Sequence, residues 1–115
     1  ILVNNAGVLS RFPFLELPAD EWHRVVSTNL DGCFLVGQAV ARQMVTTGTA
    51  GAIVNVTSVN QTIVAPNVAH YVVSKAAAFA LTRQMAYELA PHGIRELIVE
   101  DPNGYRLAFG ELVPE

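Results

Sequence analysis

Two short apolar runs, residues 1–5 and 52–57, are each followed, after a loop or directly downstream, by a long stretch of helical periodicity. Ile1-Leu2-Val3 is apolar on both faces, as strands of a parallel sheet are, because such sheets are covered on both sides. That alternation predicts an α/β chain of order β-α-β-α. Pro18 suits the first turn of the first helix, where its missing N–H costs nothing, and Asp20 and Glu21 follow where the helix dipole favours negative charge. Trp22, Val25, Val26, Asn29, Leu30, Cys33 and Phe34 then recur at helical spacing, so one helix is expected to about Val45, ended by Thr46-Thr47-Gly48. Gly32 and Gly37 weaken that helix by roughly 1 kcal/mol each relative to alanine, and the expected gain is close packing against another backbone. A second long helix is expected over 71–90, punctuated by Pro91 and Gly93. Asp101-Pro102-Asn103-Gly104 carries type I turn chemistry and predicts a terminal β-hairpin with strands near 96–100 and 105–110.

Chemistry enters with Tyr71-Val72-Val73-Ser74-Lys75. On a helix, positions i and i+4 share a face, roughly 6 Å apart along the axis. A free tyrosine titrates near ~10, and a fixed cation close by favours the ionised form of an acid by ~1–3 units. A tyrosine tuned in this way can act as general acid or base. Ser58, at the end of the second apolar run, offers a hydroxyl to hold a carbonyl or alcohol oxygen. The pair alone also fits an ordinary amphipathic packing face. Asn60, Gln61 and His70 are candidates for substrate contact, with surface-loop polarity as the competing reading of each. Asn29 likewise fits a hydrogen bond within a helix bend. The three histidines, His23, His70 and His92, have no metal-ligand spacing, so no metal site is expected. Ser58 has no G-x-S-x-G elbow around it, which argues against a hydrolase nucleophile.

Asn4-Asn5-Ala6-Gly7, then Asn29-Leu30-Asp31-Gly32-Cys33-Phe34, then Ser58, then Tyr71 and Lys75, resemble in order and spacing the short-chain dehydrogenase/reductase family, over about residues 1–95. The resemblance implies a truncated Rossmann-like fragment, a doubly wound parallel sheet, and hydride transfer between NAD or NADP and a carbonyl/alcohol substrate. It implies that Tyr71 is the acid/base, that Lys75 tunes it and binds the nicotinamide ribose, and that Ser58 orients the substrate. It implies that Asn29 holds a relay water, and that Asn5, Ala6 and Gly7 line the cofactor cleft. It also implies a homo-oligomer through the two long helices.

Two departures qualify these expectations. No glycine cluster stands between a strand and a helix, where the family's pyrophosphate turn would be, and the chain begins within the family's fourth strand. The expectation is therefore that the chain by itself binds NADH or NADPH only at millimolar levels or not at all, and is inactive. After Arg95 the sequence resembles the final hairpin of the glyoxalase/bleomycin-resistance superfamily, dividing the chain into 1–95 and 96–115; Ala108 stands where metal-binding members carry a glutamate. A spliced, frameshifted or truncated reading frame is the expected origin. The alternatives are a non-catalytic remnant or helix-mediated dimerisation module, and a small glyoxalase-like binding protein.

A length of 115 residues allows one domain at most. Apolar residues make up 51% and charged residues 15%, with mean hydropathy +0.34, which warns of exposed apolar patches and self-association. The net charge of −3, with scattered Lys and Arg, points to no nucleic acid and no membrane surface. No apolar run reaches the ~18–20 residues of a membrane span. A single Cys33 cannot form an internal disulfide, which fits a reducing, cytoplasmic location.

Overall fold

The structure is a computed structural model that describes residues 1–100. Three strands, β1 (Leu2–Asn4), β2 (Gly51–Thr57) and β3 (Ile94–Glu100), form a parallel sheet in the order β1-β2-β3. Parallel neighbours require long crossovers, and helices supply them here. Between β1 and β2 run α1 (Ala19–Val26) and α2 (Gly32–Thr47); between β2 and β3 runs α3 (Ala69–Leu89). This is the Rossmann-like α/β fragment expected from the sequence.

The first long helix is not uniform. Pro18 precedes α1, as its missing N–H predicts. Residues Ser27–Asp31 form a π-helical turn, in which the Gly32 N–H reaches back to the Ser27 carbonyl, and α2 continues beyond it. The inserted residue lets the helix bend where Asn29 is buried. At Gly48 the chain takes φ +65, the left-handed conformation that glycine accepts at low cost, and α2 stops. Gly93, at φ +73, makes the equivalent turn into β3.

Register places Ile53 opposite Glu96 and Asn55 opposite Ile98. Ala41 and Met44 of α2 pack on Ile53 and Ile94 to form the apolar core. The expectation of close packing against another backbone is met only by a side chain at Gly37, where an added Cβ would stand 3.0 Å from the Met85 methyl. It fails at Gly32, whose added Cβ would meet nothing nearer than the Ser27 carbonyl at 3.7 Å.

The first strand of the expected hairpin is present as β3, but it runs unbroken across the 95/96 boundary and pairs in parallel with β2 along its whole length. The D-P-N-G turn, the second strand near 105–110 and Ala108 lie outside the described residues.

Candidate functional site

β1 and β2 end side by side, and a cleft of about 310 Å³ opens beyond their carboxyl ends. Ligands of open parallel sheets bind in such a crevice. Asn5 and Gly7 line it after β1, Val56 and Thr57 line it at the end of β2, and Tyr71 and Lys75 line it from α3.

Residues 71–75 are helical, so the phenol and the ammonium share one face as their spacing requires. Lys75 Nζ lies 5.7 Å from the centre of the Tyr71 ring and donates to the Val56 carbonyl at 3.2 Å. Lys75 is 5% exposed, which keeps its charge close to the cleft and away from bulk water. An ammonium held there lowers the cost of negative charge on a neighbouring oxygen.

Asn29 sits behind the cleft. Its Oδ1 accepts the Val8 N–H at 2.8 Å, and its Nδ2 donates to the Val8 carbonyl at 3.0 Å and to Ser74 Oγ at 3.1 Å. Ser74 in turn donates to the Tyr71 carbonyl at 2.8 Å. The π-helical turn thus aims one buried amide at the loop after β1 and at the helix that carries Tyr71. A Cβ on Gly7 would stand 3.5 Å from Lys75 Nζ and 3.6 Å from Asn29 Oδ1, so both polar atoms border the space that glycine leaves open.

Three expected residues differ from their anticipated places. Ala6 is exposed, and Asn5 and Gly7 line the cleft without it. Ser58 is 5% exposed and does not line the cleft; its Oγ accepts the Asn60 N–H at 3.2 Å and donates to Asn60 Oδ1 at 3.4 Å. The neighbouring Thr57 borders the cleft instead, but its hydroxyl is buried and has no hydrogen-bond partner among the described residues. His70 is fully buried at the start of α3 and is bonded to Ser10, so neither substrate contact nor surface polarity describes it. Asn60 Nδ2 donates to the Ile63 carbonyl and shapes its own turn.

The reading of the sequence missed Ser74, Thr57 and Val8. Ser74 lies inside the Y-x-x-x-K segment, and a small polar residue on that face was the available signal. No group of three His, Cys, Asp or Glu able to hold a metal lies among the described residues. No described helix is long and apolar enough to cross a membrane.

The residues of the cleft fit the nicotinamide end of a dinucleotide. A lysine ammonium and a glycine-lined wall meet beyond the strand ends. Among the described residues there is no glycine-rich turn for the pyrophosphate.

Comparison with known proteins agrees with this geometry. The profile of the family described as short chain dehydrogenase matches residues 1–101. An uncharacterized oxidoreductase YohF of Escherichia coli is 44% identical over 94 residues, covering 82% of this chain and 37% of that protein. The 5-keto-D-gluconate 5-reductase of Escherichia coli is 43% identical over 95 residues, covering 83% of this chain and 37% of that protein. Among solved structures, a 4-hydroxyisoleucine dehydrogenase complexed with NADH superposes with a TM-score of 0.84 at 35% identity, covering 86% of this chain and 44% of that one. A gluconate 5-dehydrogenase from Burkholderia cenocepacia, in complex with NADP and tartrate, superposes with a TM-score of 0.80 at 40% identity, covering 86% of this chain and 39% of that one. The chain therefore spans less than half the length of these relatives. The profile includes residues 96–101, the first strand of the expected hairpin, and nothing in these likenesses supports the glyoxalase-like resemblance.

Proposed function

The chain belongs to the short-chain dehydrogenase family, and from that premise we propose that its cleft is the nicotinamide end of an NAD(P)-dependent oxidoreductase site acting on a small carbonyl/alcohol pair. The observation that carries this reading is the shared helical face of Tyr71 and Lys75 at the ends of β1 and β2. A bound nicotinamide supplies or accepts the hydride. Tyr71 gives its phenolic proton to the substrate oxygen during reduction and removes it during oxidation. Lys75, anchored on the Val56 carbonyl, stabilises the negative charge that develops on the phenol oxygen. Its other role in this reading is to hold the nicotinamide ribose.

Asn29 Oδ1 and Lys75 Nζ both border Gly7, and this nearness supports the water-holding role for Asn29. The family resemblance assigns Ser58 the substrate-orienting role, which requires its O–H to leave Asn60 Oδ1 at 3.4 Å and the side chain to reach the cleft it does not now line. Asn5 and Gly7 flank the nicotinamide, and Ala6 contributes backbone. The activity that gives one relative its name, reduction of 5-keto-D-gluconate, supports small polar carbonyl compounds as the substrate class. The buried free thiol of Cys33 fits a reducing, cytoplasmic setting.

The test is Tyr71→Phe. In a longer protein that carries this segment together with a pyrophosphate-binding turn, nicotinamide-dependent turnover of a panel of small hydroxy and keto compounds should fall ~10²- to 10⁴-fold, with cofactor affinity nearly intact. Turnover retained in this variant removes Tyr71 from its role.

A second copy of the chain is the partner this reading assigns to the outer face of α2 and α3. Phe34 and Val45 are 44% and 43% exposed and line a groove of about 530 Å³ between the two helices. An apolar groove of this kind fits an interface. Sedimentation should show a dimer or larger assembly that Phe34→Glu and Val45→Glu dissociate. A monomer at high protein concentration contradicts the assignment.

A further inference from the structure

We propose that His70 is a positioning residue: a Ser10 hydroxyl, its proton claimed by Glu21, holds the imidazole in one tautomer and fixes the turn carrying Tyr71 against the wall of the cleft. What is positioned rests on the oxidoreductase reading above; the clamp itself does not.

His70 immediately precedes Tyr71 and is 0% exposed. Its Nε2 lies 2.9 Å from Ser10 Oγ, and Ser10 Oγ donates to Glu21 Oε2 at 2.5 Å. Arg24 grips the same carboxylate, Nε on Oε1 at 2.8 Å and Nη2 on Oε2 at 3.0 Å. The hydrogen bonds from Arg24 first, then from Ser10, hold Glu21 down to about 2. It is thus an ionised carboxylate at any pH of interest, and a carboxylate only accepts. The hydroxyl proton of Ser10 therefore points to Glu21. Ser10 Oγ has only lone pairs left to offer the ring, so His70 Nε2 must be the N–H.

That assignment leaves Nδ1 as a bare lone pair in the neutral ring. Nδ1 is buried and has no hydrogen-bond partner among the described residues. Protonating it would bury both a charge and an N–H without an acceptor, which is strongly unfavourable. Burial pushes His70 below its ordinary range; Glu21 opposes this, and Arg24 adds to it. The charged groups facing the ring across α1 are Glu21 and Arg24, and along its own helix Lys75 follows Tyr71.

The loop that carries Ser10 is tied to the start of α3 a second time, where the Phe12 N–H donates to the Asn67 carbonyl at 2.9 Å. Residues 7–9 of the same loop form one wall of the cleft. The two ties therefore set the distance between that wall and the phenol opposite.

The experiment is NMR of the whole chain labelled with ¹⁵N, together with two substitutions. The His70 ring nitrogens should report a neutral Nε2–H tautomer at neutral pH, and the ring should take up its second proton only below the pH at which an unperturbed imidazole does. His70→Gln places an N–H near the position of Nε2, whereas His70→Asn places one only near Nδ1. The amide of Val72, which donates to the Val68 carbonyl, should keep its exchange protection in the glutamine variant and lose it in the asparagine variant. In turnover, His70→Asn should lower kcat ~10- to 100-fold with KM little changed, and His70→Gln should restore most of it. An Nδ1–H tautomer, a ring that titrates ordinarily, or a glutamine variant that behaves like asparagine overturns the proposal. If no variant turns over, as expected of a chain without the pyrophosphate turn, the ring signature and the exchange at Val72 alone decide the clamp.

Discussion

Asn55 on β2 and Glu96 on β3 are buried polar side chains on one face of the same sheet, under the helices, and they are treated very differently. Asn55 Oδ1 accepts Asn4 Nδ2 at 2.9 Å and the Cys33 thiol at 3.4 Å, while its Nδ2 donates to Thr82 Oγ1 at 2.9 Å. One amide thus joins β1, β2, α2 and α3. Glu96 is 1% exposed, and neither carboxylate oxygen has a hydrogen-bond partner among the described residues. Burial alone pushes its carboxyl up to about 8. A satisfied buried amide specifies how elements meet, whereas an unsatisfied buried carboxylate costs free energy and stays neutral to limit that cost. The half of the sheet that leads to the cleft is matched to its helices. The β3 half is matched only in its apolar residues, Ile94 and Ile98.

The sharpest way to break this comparison is to remove both groups in turn. Asn55→Leu should destabilise the chain by about 2–3 kcal/mol, because Asn4 Nδ2, the Cys33 thiol and Thr82 Oγ1 each lose a hydrogen bond at the centre of the fold. Denaturant unfolding that shows no loss would mean the network is incidental. Glu96→Leu should do the opposite and stabilise by about 1–2 kcal/mol at neutral pH, since nothing bonded is lost with the carboxylate. The same site predicts a pH dependence. The folded-state value of about 8 lies above the ordinary 4.5, so the stability associated with the neutral acid is whole below about 4.5. It drains away as pH rises from there and is gone above about 8. Melting temperatures taken across that window should fall in the parent chain and lose this component in Glu96→Leu; parallel curves would refute the assignment. The smallest stability effect belongs to the cleft. Tyr71→Phe should move unfolding by no more than about 0.5 kcal/mol, the range of a partly exposed residue outside the core network. A large loss would make Tyr71 a packing residue, the competing sequence reading.

Much of this layout was legible in the sequence, for identifiable reasons. Short apolar runs alternating with long helical periods leave few arrangements other than a parallel sheet with helical crossovers. Gly48 and Gly93 mark helix ends through a conformation that other residues enter at a cost. Tyr71 and Lys75 had to share a face once residues 71–75 were helical.

The rest depended on long-range partners. Periodicity ran smoothly through 27–31 because a single inserted residue hardly disturbs an apolar stripe, so the π-helical turn was invisible. His70 read as loop because the helix starts at Ala69, two residues before the expected boundary, and its partner Ser10 is 60 positions away. Ser58 showed its hydroxyl but not that Asn60 would occupy it. Glu96 was read as part of a terminal hairpin, where a carboxylate can face water. Its pairing with β2 turns that side chain inward instead.

The most direct test of the central claim is an NMR titration of the chain with NADH and NADPH, followed by amide shifts. The account predicts weak, saturable binding whose shifts gather at Gly7, Val8, Thr57, Tyr71 and Lys75. Shifts that gather in the groove between α2 and α3, or no shifts up to the solubility limit of the dinucleotides, would contradict it.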